Sequence, residues 1–94
     1  MLISVKVFGA IASDFGVKDI SLATIEENIT LQALLVILKG KYPSHFPQYF
    51  DEDFTPKRGT LILINGVDFN TIDGMETVLS AADQISLIPT ISGG

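Results

Sequence analysis

The clearest helical period in this 94-residue sequence begins at Thr30, where Leu31, Leu34, Leu35 and Leu38 recur at the i, i+3, i+4, i+7 spacing of one buried face. Thr30 is placed to cap the first turn, and Lys39 and Lys41 sit where the helix dipole is negative. Gly40 followed by Pro43 predicts the stop. Val36 and Ile37 widen the apolar arc, so the pattern predicts a helix laid across a sheet and covered on more than one side. The other patterned segments are of strand type. That makes the class α+β, and a chain this short has no room for a second independent core.

Residues 2 to 8 alternate, with Ile3, Val5 and Val7 on one side and Ser4 and Lys6 on the other. Gly9 to Gly16, "GAIASDFG", reads as a connection bounded by two glycines. A weaker alternation over Val17–Ile25, carried by Ile20 and Leu22, then completes a wide hairpin. After the helix, "SHFPQYFDEDFTPKRG" is an irregular excursion with two prolines and four aromatics, expected on the surface and pinned by its Phe and Tyr side chains. The continuous run "TLILIN" predicts a central strand buried on both faces. Asn65-Gly66 is a two-residue turn signal leading into a short strand at Val67–Phe69. Turns around Asp73-Gly74 and Ala81–Asp83 precede the last strand, "QISLIP". In that strand Ile85 and Leu87 point one way and Ser86 and Ile88 the other, and Pro89 is expected to end the ladder because it has no N–H. The order is β-β-α-β-β-β, and the first and last strands are candidates for central neighbours.

Composition removes several functions. Hydrophobic residues at 47% and a mean hydropathy of +0.42 indicate a dense core. No apolar run approaches the ~20 residues of a membrane span. The N-terminal "MLISVKVFG" alternates where a signal peptide would be continuously apolar, so it reads as mature sequence and the expected compartment is the cytoplasm. Without cysteine there is no disulfide, thiolate nucleophile, Cys-ligated zinc or iron–sulfur cluster, which also removes a ferredoxin-type role. The net charge is −5, and the basic residues Lys6, Lys18, Lys39, Lys41, Lys57 and Arg58 never form a long patch, so nucleic-acid binding lacks electrostatic support. From Gly59 onward there is no Lys or Arg, only Asp68, Asp73, Glu76 and Asp83. That acidic stretch suits either solubility or a basic partner. His45, the sole histidine, has no partners for catalysis or metal binding nearby. "DED" at 51–53 lacks calcium-loop spacing, and no serine sits on a glycine elbow.

The remaining chemical handle is the ending, "TISGG", which holds the only adjacent glycines in the sequence. At about 7% glycine, two at a terminus arise by chance in roughly 0.5% of chains. Glycine has no Cβ and passes a narrow channel in extended form, and the five residues after Pro89 span at most ~18 Å. A carboxylate there can be adenylated, then displaced by a sulfur donor to a thiocarboxylate or by an amine to an amide. An idle tail is the other reading. The expected organisation is a folded domain over 1–89 and a flexible Gly-Gly tail over 90–94.

With this strand order, the buried "TLILINGVDF", the turn-rich "GMETVLSAADQISLIP" and the closing "TISGG", the sequence resembles the sulfur-carrier branch of ubiquitin-like proteins. This is the MoaD/ThiS family, which includes the molybdopterin synthase small subunit and the thiamine-pathway carrier ThiS. The stretch Thr30-Leu31-Gln32-Ala33-Leu34-Leu35 also looks like that family's helix start. The resemblance implies a β-grasp fold, with the helix packed across a mixed sheet of four to five strands. It implies a chain that is not an enzyme by itself. Its Gly94 would be the acyl-adenylate and thiocarboxylate site, with Gly93 threading beside it into a partner's active site. The implied partners are a ubiquitin-activator-like adenylating enzyme, which uses ATP, and a molybdopterin synthase large subunit. No cofactor or metal would be bound by the chain. Ile91 and Ser92 would line the entry, and Phe8, Ile88 and Pro89 match the family's apolar docking surface. A ThiS-like carrier for thiamine and a protein modifier conjugated through Gly94 are the alternatives. The family's common Asp-Gly-Asp turn reads Ala81-Ala82-Asp83 here, and the 42–58 excursion is unusual for compact members.

Overall fold

Two strands from opposite ends of the chain form the centre of the fold. In the computed structural model, which describes residues 1–90, β1 (Leu2–Val7) runs parallel to β7 (Gln84–Pro89), with Val5 opposite Ile85 and Val7 opposite Leu87. On one side β2 (Asp19–Ala23) pairs antiparallel with β1, and on the other β4 (Thr60–Ile64) pairs antiparallel with β7. With the short β5 (Val67–Asp68), the five-stranded mixed sheet has the order β2-β1-β7-β4-β5. A second ladder joins β3 (Ile29–Thr30) to β6 (Val78–Leu79), two short strands that no sequence pattern indicates.

The helix α2 (Leu31–Lys41) lies across one face of the sheet, as its leucine spacing predicts, and the whole is an α+β β-grasp arrangement. Leu31, Leu34, Leu35 and Leu38 are fully buried together with Ile3, Val5, Ile62, Ile85 and Leu87. Each such side chain contributes about 1.5–3 kcal/mol on burial. The cap is present: the Thr30 hydroxyl oxygen accepts from the Ala33 N–H at 3.1 Å, and the Leu31 N–H donates to the Thr77 carbonyl at 2.8 Å. Two expectations for α2 do not hold. Gly40 lies within the helix, which runs to Lys41 and is closed by Tyr42 just before Pro43, so the proline marks the stop and the glycine does not. Val36 and Ile37 are 51% and 38% exposed, so α2 is covered on its sheet side only.

Gly9–Gly16 is not an open connection. Gly9–Phe15 forms a helix, α1, whose Ile11 and Phe15 are buried one turn apart. It is entered through Gly9 at φ +57° and closed by Gly16 at φ +76°. Seven residues are too few for a periodicity to declare itself. "TLILIN" also departs from expectation. Ile62 and Ile64 face the core, whereas Leu61 is 36% exposed and Leu63 half-buried, so the outer side of β4 is uncovered. Phe69 leaves the predicted third position of β5 to start a 3₁₀ turn, with its ring buried. The Asn65-Gly66 turn forms as read, both residues having positive φ. In the 42–58 excursion a 3₁₀ turn at Phe46–Gln48 carries the stacked rings of Phe46 and Phe50 into the core.

Candidate functional site

The end of β7 is where the chain leaves the sheet, and two surfaces meet there. The first is the outer face of the sheet, opposite α2. Phe8 is extended (φ −125°, ψ 159°) and its N–H donates to the Leu87 carbonyl at 3.1 Å, so it prolongs β1 alongside β7. Because Val7 opposes Leu87 on the core side, Phe8 and Ile88 fall on the outer side, and Leu61 lies opposite Ile88 across the β4–β7 ladder. The result is an apolar row, Phe8–Ile88–Leu61, with Phe8 43% exposed. The row behind it is Lys6, Ser86, Leu63 and Asp68. Sequence reasoning reached Phe8 and Ile88. It missed Leu61 and Leu63, which an unbroken apolar run disguised as core. Beside the row, a groove of about 800 Å³ is lined by Phe8, Ala12, Val17 and the two lysines Lys6 and Lys18.

The second surface is the strand exit. Pro89 lies on the other side of the sheet from Ile88, against α1: a methyl group at Gly9 would stand 2.6 Å from Pro89 Cγ. Pro89 is the last paired residue of β7, as expected. It opposes Thr60, and the Thr90 N–H still donates to the Gly59 carbonyl at 2.7 Å. The exit is therefore gripped from both sides, by Gly9 of α1 and by Gly59. Ile91, Ser92, Gly93 and Gly94 lie outside the described residues.

Around α1 the excursion forms an aromatic clamp. Phe15 stacks on Tyr42 with ring centroids 4.5 Å apart and meets Tyr49 edge-on at 6.2 Å. The Tyr49 hydroxyl donates to Asp14 Oδ2. Burial first, then the Asp14 carboxylate as hydrogen-bond acceptor and as a like charge to the phenolate, push the Tyr49 hydroxyl up to about 12.

At the opposite end of β7, Asn65 joins two turns. Its Nδ2 donates to Asp83 Oδ1 at 2.8 Å, and its Oδ1 accepts from the Gln84 N–H at 2.9 Å. The Asn65 amide, followed by the Ser80 N–H on Oδ2, holds the Asp83 carboxyl below the usual carboxylate range. His45 Nδ1 pairs with Gln48 Nε2 at 3.1 Å in the excursion. Among the described residues no three His, Asp or Glu side chains gather to hold a metal ion, and no helix is long and apolar enough to cross a membrane.

The comparisons with known proteins agree with this geometry. The model of the ThiS family matches residues 5–94. No curated protein matches the sequence significantly. Small archaeal modifier protein 1 from Methanosarcina acetivorans is 27% identical at a TM-score of 0.79, covering 99% of this chain and 96% of its own. Urm1 from Trypanosoma brucei is also 27% identical, with a TM-score of 0.79 and coverage of 99% and 95%. A candidate molybdopterin converting factor subunit 1 from Pyrococcus furiosus superposes at a TM-score of 0.71 over 97% of this chain and 99% of its own, but at 18% identity that likeness is one of fold. With a β-grasp sheet that delivers its last strand to an apolar face, and a family match over nearly its whole length, the chain belongs to the ThiS family of ubiquitin-like sulfur carriers and modifiers.

Proposed function

We propose that the chain is a sulfur carrier that works through the carboxylate of Gly94, and that it serves as the small subunit of a molybdopterin synthase. The observation that carries this reading is the family match, which runs through to Gly94. The carboxylate oxygen attacks the α-phosphorus of ATP on a ubiquitin-activator-like enzyme and pyrophosphate leaves. Hydrosulfide then adds to the acyl carbon and AMP leaves, giving the thiocarboxylate and a released proton. This chain supplies the electrophilic carbon and the docking surface. The nucleotide and the catalytic groups belong to the partner. Gly93 and Gly94, lacking Cβ atoms, thread the partner's channel with Ile91 and Ser92 at its entry. Phe8, Ile88 and Leu61 form the apolar contact, and the large subunit receives the sulfur. The cytoplasm is the compartment proposed for this chemistry.

A second reading shares the activation step. In it the acyl group passes to a lysine amine and ends as an isopeptide, and the likeness to small archaeal modifier protein 1 and to Urm1 favours it. A thiamine-pathway carrier differs only in the acceptor of the sulfur. The test is the intact mass of the protein purified from its own host with acyl sulfur preserved. A species heavier by one oxygen-to-sulfur exchange, mapped to Gly94, is expected for a carrier. Gly94–lysine adducts without it would give the modifier reading, and unmodified protein in the presence of the activating enzyme would end both.

A further inference from the structure

The 42–58 excursion ends on the same two pieces of backbone that hold the strand exit. On one side, Pro89 rests on Gly9, the first residue of α1. Asp14, in the same helix, accepts the Tyr49 hydroxyl bond. On the other side, the Thr90 N–H is bonded to the Gly59 carbonyl at 2.7 Å, and two residues before Gly59 the Lys57 N–H donates to the Tyr49 carbonyl at 2.8 Å. One residue thus reaches both walls, its side chain touching α1 and its main chain touching the corner before β4. The Tyr49 ring also meets Phe15 edge-on, and Phe15 is itself stacked on Tyr42, so the tyrosine has one further contact with α1.

We propose that Tyr49 is a positioning residue for the C-terminal exit, tying α1 and the Lys57–Gly59 corner together so that Pro89 and Thr90 leave the sheet in one direction. The excursion is then the brace of the exit. The direction matters because a segment that must enter a partner's channel binds more weakly when its base is free to swing, the ordering cost being charged to association. This consequence rests on the carrier or modifier reading above, whereas the brace itself does not.

The test separates the two. Tyr49→Phe keeps the ring against Phe15 and removes the hydroxyl, and Asp14→Asn keeps an oxygen that still accepts from the hydroxyl. Hydrogen exchange is measured residue by residue on the intact chain. In Tyr49→Phe the Thr90 amide is expected to exchange roughly tenfold faster, the scale of one lost hydrogen bond to a charged group, while the Val5 and Leu87 amides of the sheet centre keep their rates. Asp14→Asn is expected to leave Thr90 near its wild-type rate. Unchanged Thr90 exchange in Tyr49→Phe overturns the proposal, and so does a uniform acceleration that includes the sheet centre, which would mark a merely structural tyrosine. With the activating enzyme and ATP, Tyr49→Phe is expected to raise KM several-fold with little change in kcat. If neither wild type nor variant is adenylated while Thr90 still responds, the functional reading fails and the brace stands.

Discussion

Gly9 shows how much of this fold is decided by single residues whose partners are distant in sequence. At φ +57° it occupies the left-handed region, and its missing Cβ makes room for Pro89 at 2.6 Å. Gly9→Ala is expected to cost about 1–3 kcal/mol, from backbone strain and from displacement of the strand end. Gly16→Ala meets nothing within 4 Å and adds only the strain of φ +76°, so it is expected to cost about 1 kcal/mol. Urea unfolding of both variants distinguishes contact from conformation. The Thr30 cap was legible because its partner Ala33 lies one turn away. The Gly9–Pro89 contact was not, since no local pattern reports a neighbour at the other end of the chain. Asp83 gives the pH dependence. Its carboxyl is held below its unfolded value near 3.9, so its stabilisation is complete above that value and is lost as the pH falls through the folded one. Below about pH 4 the wild type is expected to lose stability more steeply than Asp83→Asn, as read from urea midpoints across the acid range.

At the scale of elements, residue type and residue position gave different information. Four leucines in helical register identified α2 and its buried side correctly, because a 3.6-residue period is visible over three turns. The same logic overreached at Val36 and Ile37, where aliphatic side chains stand in solvent with nothing packed over them. Val36→Lys and Ile37→Lys are therefore expected to change stability by no more than about 0.5 kcal/mol each, whereas Leu35→Ala, fully buried against the sheet, is expected to cost about 2–5 kcal/mol. Thermal unfolding of the three variants measures the contrast. On β4 the error ran the same way. An uninterrupted "TLILI" suits a strand covered on both faces, but apolar residues also form a surface meant for a partner, and sequence alone does not tell one cover from the other. The helix α1 was lost for the opposite reason, being too short to show a period and bounded by glycines that resemble loop punctuation.

Over the whole molecule, the net charge of −5 is unevenly placed. Glu26 and Glu27 follow β2, Asp83 precedes β7, and Asp73 and Glu76 lie near the start of α2, so these five acids gather at the end away from the exit, where among the described residues no Lys or Arg stands and the Met1 ammonium is the cation. The six bases fall toward the exit end, in company with Asp14, Asp19, Asp51, Glu52 and Asp53, because they occupy the end of β1, the start of β2, the end of α2 and the approach to β4, while Asp68 lies midway on β5. The exit end is thus close to neutral in sum, so the docking proposed above is expected to rest on the apolar row more than on long-range attraction. Phe8 and Leu61 are 43% and 36% exposed, so replacing them removes part of their packing on the sheet together with the centre of the proposed contact. Phe8→Ser combined with Leu61→Thr is expected to lower the unfolding free energy by about 1–3 kcal/mol while leaving the chain folded, with threonine preserving the strand preference of β4. The affinity for the activating enzyme is expected to fall at least tenfold, about 1.4 kcal/mol. Glu26→Gln with Glu27→Gln, at the far end, is expected to leave that affinity within about twofold while reducing the net charge. Calorimetric titration of the three proteins decides the matter: equal loss in both variants would place the contact on the acidic end, and loss confined to the apolar pair would fix it at the row beside the exit.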